Sequence, residues 1–272
     1  MPHLSHTNAA LFDTTSDDAS VFDLSAFPAS AGVMGVGAGT ALYLTETGTS
    51  GAISASDLYQ GQIGDCFLIS SIGEIALTKP VDIGSMIHAN ADGTETVTLY
   101  ADKSGHAVNW GTTSLKPVAI TVNNVFPSYA VDNGANQALM NGIKEIWPAV
   151  LEKAMATLDG GYNAIAHGGS PVLAMEALTG RFATFVSPAS LTLKALQADI
   201  TAQDMIVFDT KNASNLAYDL VGNHAYMFKA LTVTNGTPMV QLLNPWGSHQ
   251  PAAIPLSQLS NSFVEIDIGH AT

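Results

Sequence analysis

The sequence predicts an α+β fold, with helices dominating its first half and antiparallel strands its second. Three observations carry that expectation. Ile143, Ile146, Trp147, Val150, Leu151, Ala154, Met155 and Leu158 recur at a period of 3.6, the spacing of one helix face. Short runs rich in β-branched and aromatic residues gather after residue 205. Between two of them stands Asn235-Gly236, a dipeptide that tight hairpins favour because both positions take positive φ. At roughly 150 residues per domain, 272 residues make one large domain or two small ones.

Residues 1–45 read as a leader or pro-segment without packed structure, in which Asp13, Asp17, Asp18 and Asp23 sit among Ser and Thr ahead of a Gly/Ala stretch. A packed region follows. Asp65 stands where an N-cap would open a buried helix over 66–78, and Pro80 lies beyond its end. Strands are expected at 95–100 and 118–126. The periodic helix then runs to Asp159-Gly160-Gly161, and a third helix opens at Ser170-Pro171 and stops at Gly180. Strands are expected at 205–209, 225–234, 239–243 and 263–268. A helical lobe over 46–169 and a sheet lobe over 170–272 would meet near the glycines of His167-Gly168-Gly169.

Charge narrows the function. The chain carries 9 Lys+Arg against 23 Asp+Glu, a formal net charge of -14, and its first basic residue is Lys79. Without a basic cluster there is nothing to displace counterions from phosphates, so neither a nucleic acid nor an anionic membrane is an expected partner. One cysteine excludes a disulfide scaffold and a Cys-based zinc finger. Residues 1–20 lack the basic start of a signal peptide. The uncharged stretch 24–45 holds Pro28 and four glycines, a poor membrane span. The expectation is a cytoplasmic protein, or one secreted without a classical signal peptide.

The lone cysteine stands in Gly64-Asp65-Cys66-Phe67, where the predicted helix begins. The dipole and free N–H groups of a helix start favour a thiolate, and a thiolate beside a base is a nucleophile. Of eight histidines, His224 alone opens a strand, in Gly222-Asn223-His224-Ala225-Tyr226. Across the hairpin the partner strand ends at Asn244-Pro245-Trp246-Gly247. A strict two-residue turn would leave His224 and Asn244 three positions out of register, roughly 10 Å apart, so a wider loop or a bulge must close the gap. An Asn amide there can fix the imidazole tautomer. Gln60, in Gln60-Gly61-Gln62-Ile63-Gly64, has two glycines to fold it back beside the Cys66 N–H as an oxyanion donor.

Together these segments resemble the calpain family of cysteine proteases. Gln-Gly-x-Ile-Gly-Asp-Cys-Phe-Leu-Ile, beginning at Gln60, is similar to that family's nucleophile motif. Trp147, Leu151-Glu152-Lys153-Ala154 and Gly161-Tyr162 resemble its long helix and the turn after it. His224-Ala225-Tyr226 and Asn244-Pro245-Trp246-Gly247 resemble its histidine and asparagine motifs, and the likeness covers roughly residues 50–268. It implies a papain-like two-lobe core and a cysteine endopeptidase with Cys66, His224 and Asn244 as its triad. Gln60 would help hold the oxyanion, with Trp246 and Gly64 shielding the site or lining the substrate. Phe67 replaces the family's Trp, and Ser248-His249-Gln250-Pro251 replaces its acidic stretch.

The resemblance also implies a calcium site in the first lobe, where Asp57 and Glu145 fall at its carboxylate positions. The second-lobe site is not expected, since its acidic loop is missing. No cofactor is needed for the chemistry. At most one calcium is expected, with weak or no calcium dependence. The expected partner is a protein or peptide substrate, and the expected state a monomer. An acyl transfer of transglutaminase type on the same triad, or an inactive protein-binding module, stand as alternatives.

Overall fold

A computed structural model of the chain describes residues 33–35, 40–43, 53–131 and 144–271. The short strands β1 (Val33–Gly35) and β2 (Thr40–Ala41) fall inside the stretch read as a leader. The rest of 1–45 lies outside the described residues, apart from Leu42 and Tyr43 beside β2. A largely buried helix, α1 (Cys66–Thr78), follows, and then α2 (Pro80–Met86). The strands β3 (Ile87–Ala89), β4 (Thr94–Ala101) and β5 (Lys116–Asn123) form an antiparallel sheet. Next come β6 (Val125–Pro127), which pairs with β1, and β7 (Lys144–Glu145), which runs parallel to β2. Three helices, α3 (Trp147–Asp159), α4 (Tyr162–Ile165) and α5 (Pro171–Thr179), complete the helical part.

The second half holds β8 (Ala183–Val186), α6 (Leu193–Ala202), β9 (Met205–Thr210), β10 (Ala225–Thr234) and β11 (Thr237–Leu243). It ends with β12 (Ile254–Pro255), α7 (Leu259–Ser262) and β13 (Phe263–Gly269). Its six strands make one antiparallel sheet in the order β12-β11-β10-β9-β13-β8. Alternate residues of β9 serve two cores. Met205 and Val207 join the apolar cluster built around α1 and α3, while Ile206 and Phe208 face a second cluster with Phe263, Ile266 and Leu259. Among the described residues, no helix is long and apolar enough to cross a membrane.

Some expectations change. α1 ends at Thr78 with Pro80 beyond it, as expected, but Pro80 also opens a further helix, α2, at the position where its missing N–H costs nothing. The strand expected over 118–126 breaks at Asn124. There the Asn123 side chain accepts the Val125 N–H, and Lys153 Nζ bridges the carbonyls of Asn123 and Val125. The periodic helix starts at Trp147, later than expected, because Lys144 and Glu145 pair with β2, and Ile143 lies outside the described residues. α6 leaves no periodic trace in the sequence because Leu196 is its one buried side chain, although Thr192 caps it by accepting the Ala195 N–H.

α1 is apolar almost all round, as a helix buried on nearly every side must be. Its polar residues are satisfied. Ser71 Oγ donates to the Phe67 carbonyl and Ser70 Oγ to the Ala225 carbonyl at 3.0 Å. The Glu74 carboxylate, 1% exposed, accepts the N–H groups of Ile206 at 3.0 Å and Phe228 at 2.5 Å. Pairing of β9 with β10 ends one step earlier, at Met227 and Val207. Glu74 therefore accepts from both strands where their ladder stops. Burial pushes its carboxyl well above the usual range, and the two N–H bonds draw it back.

Candidate active site

Cys66 is the first residue of α1, and the loop that delivers it is pinned along its length. Gln60 N–H donates to the Pro245 carbonyl, Gln62 N–H to Tyr129 and Gly64 N–H to Ala166, at 2.8 to 2.9 Å. The backbones pass so closely that a Cβ on Gly61 would stand 2.0 Å from the Tyr129 oxygen, and one on Gly64 2.7 Å from that of Ala166. These glycines are required for close approach. Gly64 also pairs as an isolated bridge with His167, so it holds the loop against the segment following α4.

Asp65 makes no side-chain cap bond, contrary to expectation. Its carboxyl is fully buried and turned toward Glu152 of α3, whose Oε1 accepts the Val131 N–H at 2.9 Å. Burial pushes the Asp65 carboxyl up to about 7; contact with Glu152, its own backbone and the Gln60 amide draw it partly back. Among the described residues, no donor makes a well-aligned hydrogen bond to either Asp65 oxygen, so the Gln60 and backbone contacts are weak ones. Two carboxyls in contact without a cation hold a proton between them.

Burial also reverses the expected drift of the thiol. Cys66 is half-buried, and desolvation pushes its thiol up to about 12. The backbones of Ala225 and Phe67 hold it back, while Asp209 and Asp65 add to the rise. Two nearby carboxyl groups and a low-dielectric setting outweigh the helix start. The thiol thus lies against the backbone of Ala225, the residue after His224.

His224 is fixed at the end of β9. Its N–H donates to Thr210 Oγ1 at 2.9 Å, and its carbonyl accepts the Thr210 N–H. The imidazole lies between Tyr226, edge-on at 4.9 Å between ring centroids, and Trp246 at 4.6 Å. His224 Nε2 meets Asn244 Oδ1 at 3.0 Å. A bulge at Lys229, rather than a wider loop, brings them together. The turn at Asn235-Gly236 is a strict two-residue one, with φ of 50° and 80°, and the register shifts between Phe228 and Ala230. Asn244 is held on every side. Its N–H donates to Gln250 Oε1, its Nδ2 to the His249 carbonyl, and its Oδ1 also accepts the Trp246 N–H. Because Nδ2 is committed as donor, Oδ1 can only accept, so Nε2 carries the proton and Nδ1 keeps its lone pair. Burial lowers the imidazole to about 4, against the lift from Asn244.

The structure thus brings His224, Asn244 and Trp246 together and sets Cys66 against the next residue. Gln60 joins them through the Pro245 carbonyl, and one N–H of its side chain donates to the Ile63 carbonyl at 2.8 Å. Asp57 and Glu145 lie elsewhere, both 2% exposed. Asp57 closes a helical turn at Ala55–Asp57, and its Oδ2 accepts the Ser54 N–H at 2.7 Å and the Trp147 Nε1–H at 3.2 Å. Sequence reasoning missed His249 and Gln250, which support Asn244 in place of the absent acidic stretch. It also missed Glu152 as the partner of Asp65, although the helix face that carries Glu152 was recognised.

Fold and site together define a papain-like α+β protein of the cysteine protease class. The model of the calpain family cysteine protease matches residues 45–262. The chain is 26% identical over 237 residues to the calpain-type cysteine protease ADL1 of Oryza sativa subsp. japonica, which covers 79% of this chain and 10% of that protein. It is 26% identical over 229 residues to calpain clp-4 of Caenorhabditis elegans, 79% of this chain and 30% of that one. It is 27% identical over 213 residues to human calpain-8, 72% of this chain and 28% of that one. The chain belongs to the calpain family of cysteine proteases, and it spans between a tenth and about three tenths of the length of these relatives.

Proposed function

We propose that the chain is a cysteine endopeptidase whose Cys66, His224 and Asn244 act as a triad in the cleft of a two-lobe papain-like core. The observation that carries the reading is the 3.0 Å bond from His224 Nε2 to Asn244 Oδ1, which leaves Nδ1 as the basic nitrogen beside the Cys66 segment. Cys66 and His224 both rest neutral, so attack and proton transfer go together. The thiol proton passes to Nδ1 as sulfur bonds the scissile carbonyl carbon, and the carbonyl π electrons move onto oxygen. The Cys66 N–H holds that oxyanion, joined by an N–H of the Gln60 amide that turns to it from Asp65 as the charge develops. The intermediate collapses, the C–N bond breaks, and Nδ1–H protonates the leaving amine. Water then gives a proton to Nδ1 and its oxygen to the thioester carbon, the C–S bond breaks, and the thiol recovers its proton. Throughout, Asn244 holds Nε2–H and Trp246 covers the ring.

Calcium is a support in this reading. The bond from Trp147 Nε1–H to Asp57 Oδ2 ties the helical turn at Ala55–Asp57 to the segment that carries Glu145. Both carboxylates are buried and offer the oxygen ligands a hard cation takes. Such an ion would neutralise charge. Two N–H donors already compensate Asp57, so we expect at most one calcium and little dependence on it. A thiol-directed covalent probe tests the main reading: wild type should label and cleave a casein substrate, and Cys66→Ala should do neither. Labelling of both proteins, or of neither, would sink it; amine transfer outrunning hydrolysis would favour the transglutaminase alternative.

A further inference from the structure

Asp209, Glu265 and Asp267 place three carboxylates on one face of the large sheet, each with an oxygen within 4.8 Å of the others. Cross-strand register puts them there. Glu265 lies opposite Asp209, Asp267 opposite Val207, and Asp209 in turn opposite Ala225. Directly opposed residues share a face and stand about 5 Å apart at Cα. Val207 and Ala225 belong to the apolar cluster around α1, so the carboxylates face the helix that begins with Cys66. Ala225 is also the residue whose backbone meets the thiol, and Asp209 is close enough to act on that thiol.

A second observation points to an occupant. Asp267 is 0% exposed, and among the described residues neither of its carboxylate oxygens has a hydrogen-bond partner. An ionised group so placed is costly unless a cation arrives. Burial raises Asp209 and Asp267, and their carboxylate neighbours raise both further. Glu265 is only half-buried and Asp267 fully buried, so the group has an outer and an inner end. A metal ion fits less well. Ladder pairing occupies the backbone carbonyls of these strands, and three carboxylates reach the six oxygens that calcium wants only if all bind bidentately.

Resting on the protease reading, we propose that Asp209, Glu265 and Asp267 form a specificity pocket beside Cys66 that takes the lysine or arginine side chain of a peptide substrate, on the acyl side of the bond cut. A guanidinium offers five donors to carboxylates in fixed geometry, and its apolar stem suits Val207 and Ala225.

The test compares peptide amides that carry arginine or its neutral isostere citrulline at the first, second or third residue before the bond. In wild type, one arginine series should show kcat/KM at least tenfold above its citrulline partner. In Asp267→Asn, and in the half-exposed Glu265→Gln should the buried variant not fold, that ratio should fall to near one. A binding arm makes the outcome independent of turnover: Cys66→Ala should bind the favoured arginine peptide at least tenfold tighter than the citrulline peptide, by calorimetry. Cleavage with no arginine preference at any position overturns the pocket and leaves the protease reading standing. Tenfold selective binding without any cleavage by wild type supports the pocket and overturns the protease reading. Equal binding of the two peptides overturns the pocket, as does calcium or magnesium binding that Asp267→Asn abolishes without changing the peptide ratio.

Discussion

At the scale of single residues, the proposed triad of Cys66, His224 and Asn244 carries a pH response with it. Burial holds the imidazole near 4 and the thiol near 12, so both are neutral between those values. The pH profile of kcat/KM should therefore show an acid limb near pH 4 and no alkaline limb below about pH 10 while the protein stays folded. An alkaline limb near pH 8 to 9 would show that a thiolate–imidazolium pair prevails. Replacing the two partners of the buried bond should also differ. On the proposed mechanism His224→Ala removes the proton carrier and should cut kcat by roughly a thousandfold or more. Asn244→Ala removes only an orienting bond to a group that becomes charged, a loss of about tenfold to a hundredfold. Equal losses in a peptide assay would mean that His224 is not the base.

At the scale of elements, Glu74 is the residue to vary, because one carboxylate serves two strands. Glu74→Ala leaves the Ile206 and Phe228 N–H groups without their acceptor, at about 1–3 kcal/mol each. Urea unfolding should place it about 2–5 kcal/mol below wild type, with Glu74→Gln between them because an amide offers one acceptor oxygen. A glutamine variant as stable as wild type would show that the second bond contributes nothing. The elements themselves were legible where a local pattern exists. The helix at Cys66, the 3.6 period ending at Gly160, and the Asn235-Gly236 turn are short-range signals, and the meeting of His224 with Asn244 followed from the last of them. That a wider loop or a bulge must close the gap was foreseen, but neither which of the two nor its position at Lys229. Asp209, Glu265 and Asp267 carried no signal, since cross-strand register alone unites them. The Asp65–Glu152 contact was hidden as well, since it joins the residue before α1 to a position on α3 far away in sequence.

At the scale of the whole molecule, buried acids couple stability to pH. The Asp65 carboxyl moves from an ordinary 3.8 to about 7 on folding, chiefly through burial. The folded chain then binds more protons than the unfolded one between those values, so its stability is fullest below about pH 4 for this group and is lost as pH rises through 7. Glu152, Asp209 and Asp267 are raised as well and act in the same direction. His224 opposes them: its depressed value costs stability as pH falls from about 6.5 toward 4. Above pH 6.5 the acids alone remain, and the melting midpoint should fall by several degrees from pH 6.5 to 8.5. Asp65→Asn should flatten that fall, read by calorimetry at matched ionic strength. A slope unchanged in the variant would place the shared proton elsewhere.

The bulge at Lys229 has one more consequence. Register beside His224 is set on the near side of the irregularity, while Asn235 and Gly236 lie on the far side, exposed, and a Cβ on Gly236 would meet no atom within 4 Å. Tip and site are thereby insulated from each other, and the hairpin becomes a grafting point. A reporter peptide spliced between Asn235 and Gly236, or new chain ends opened there, would ride on the fold without shifting His224 against Asn244.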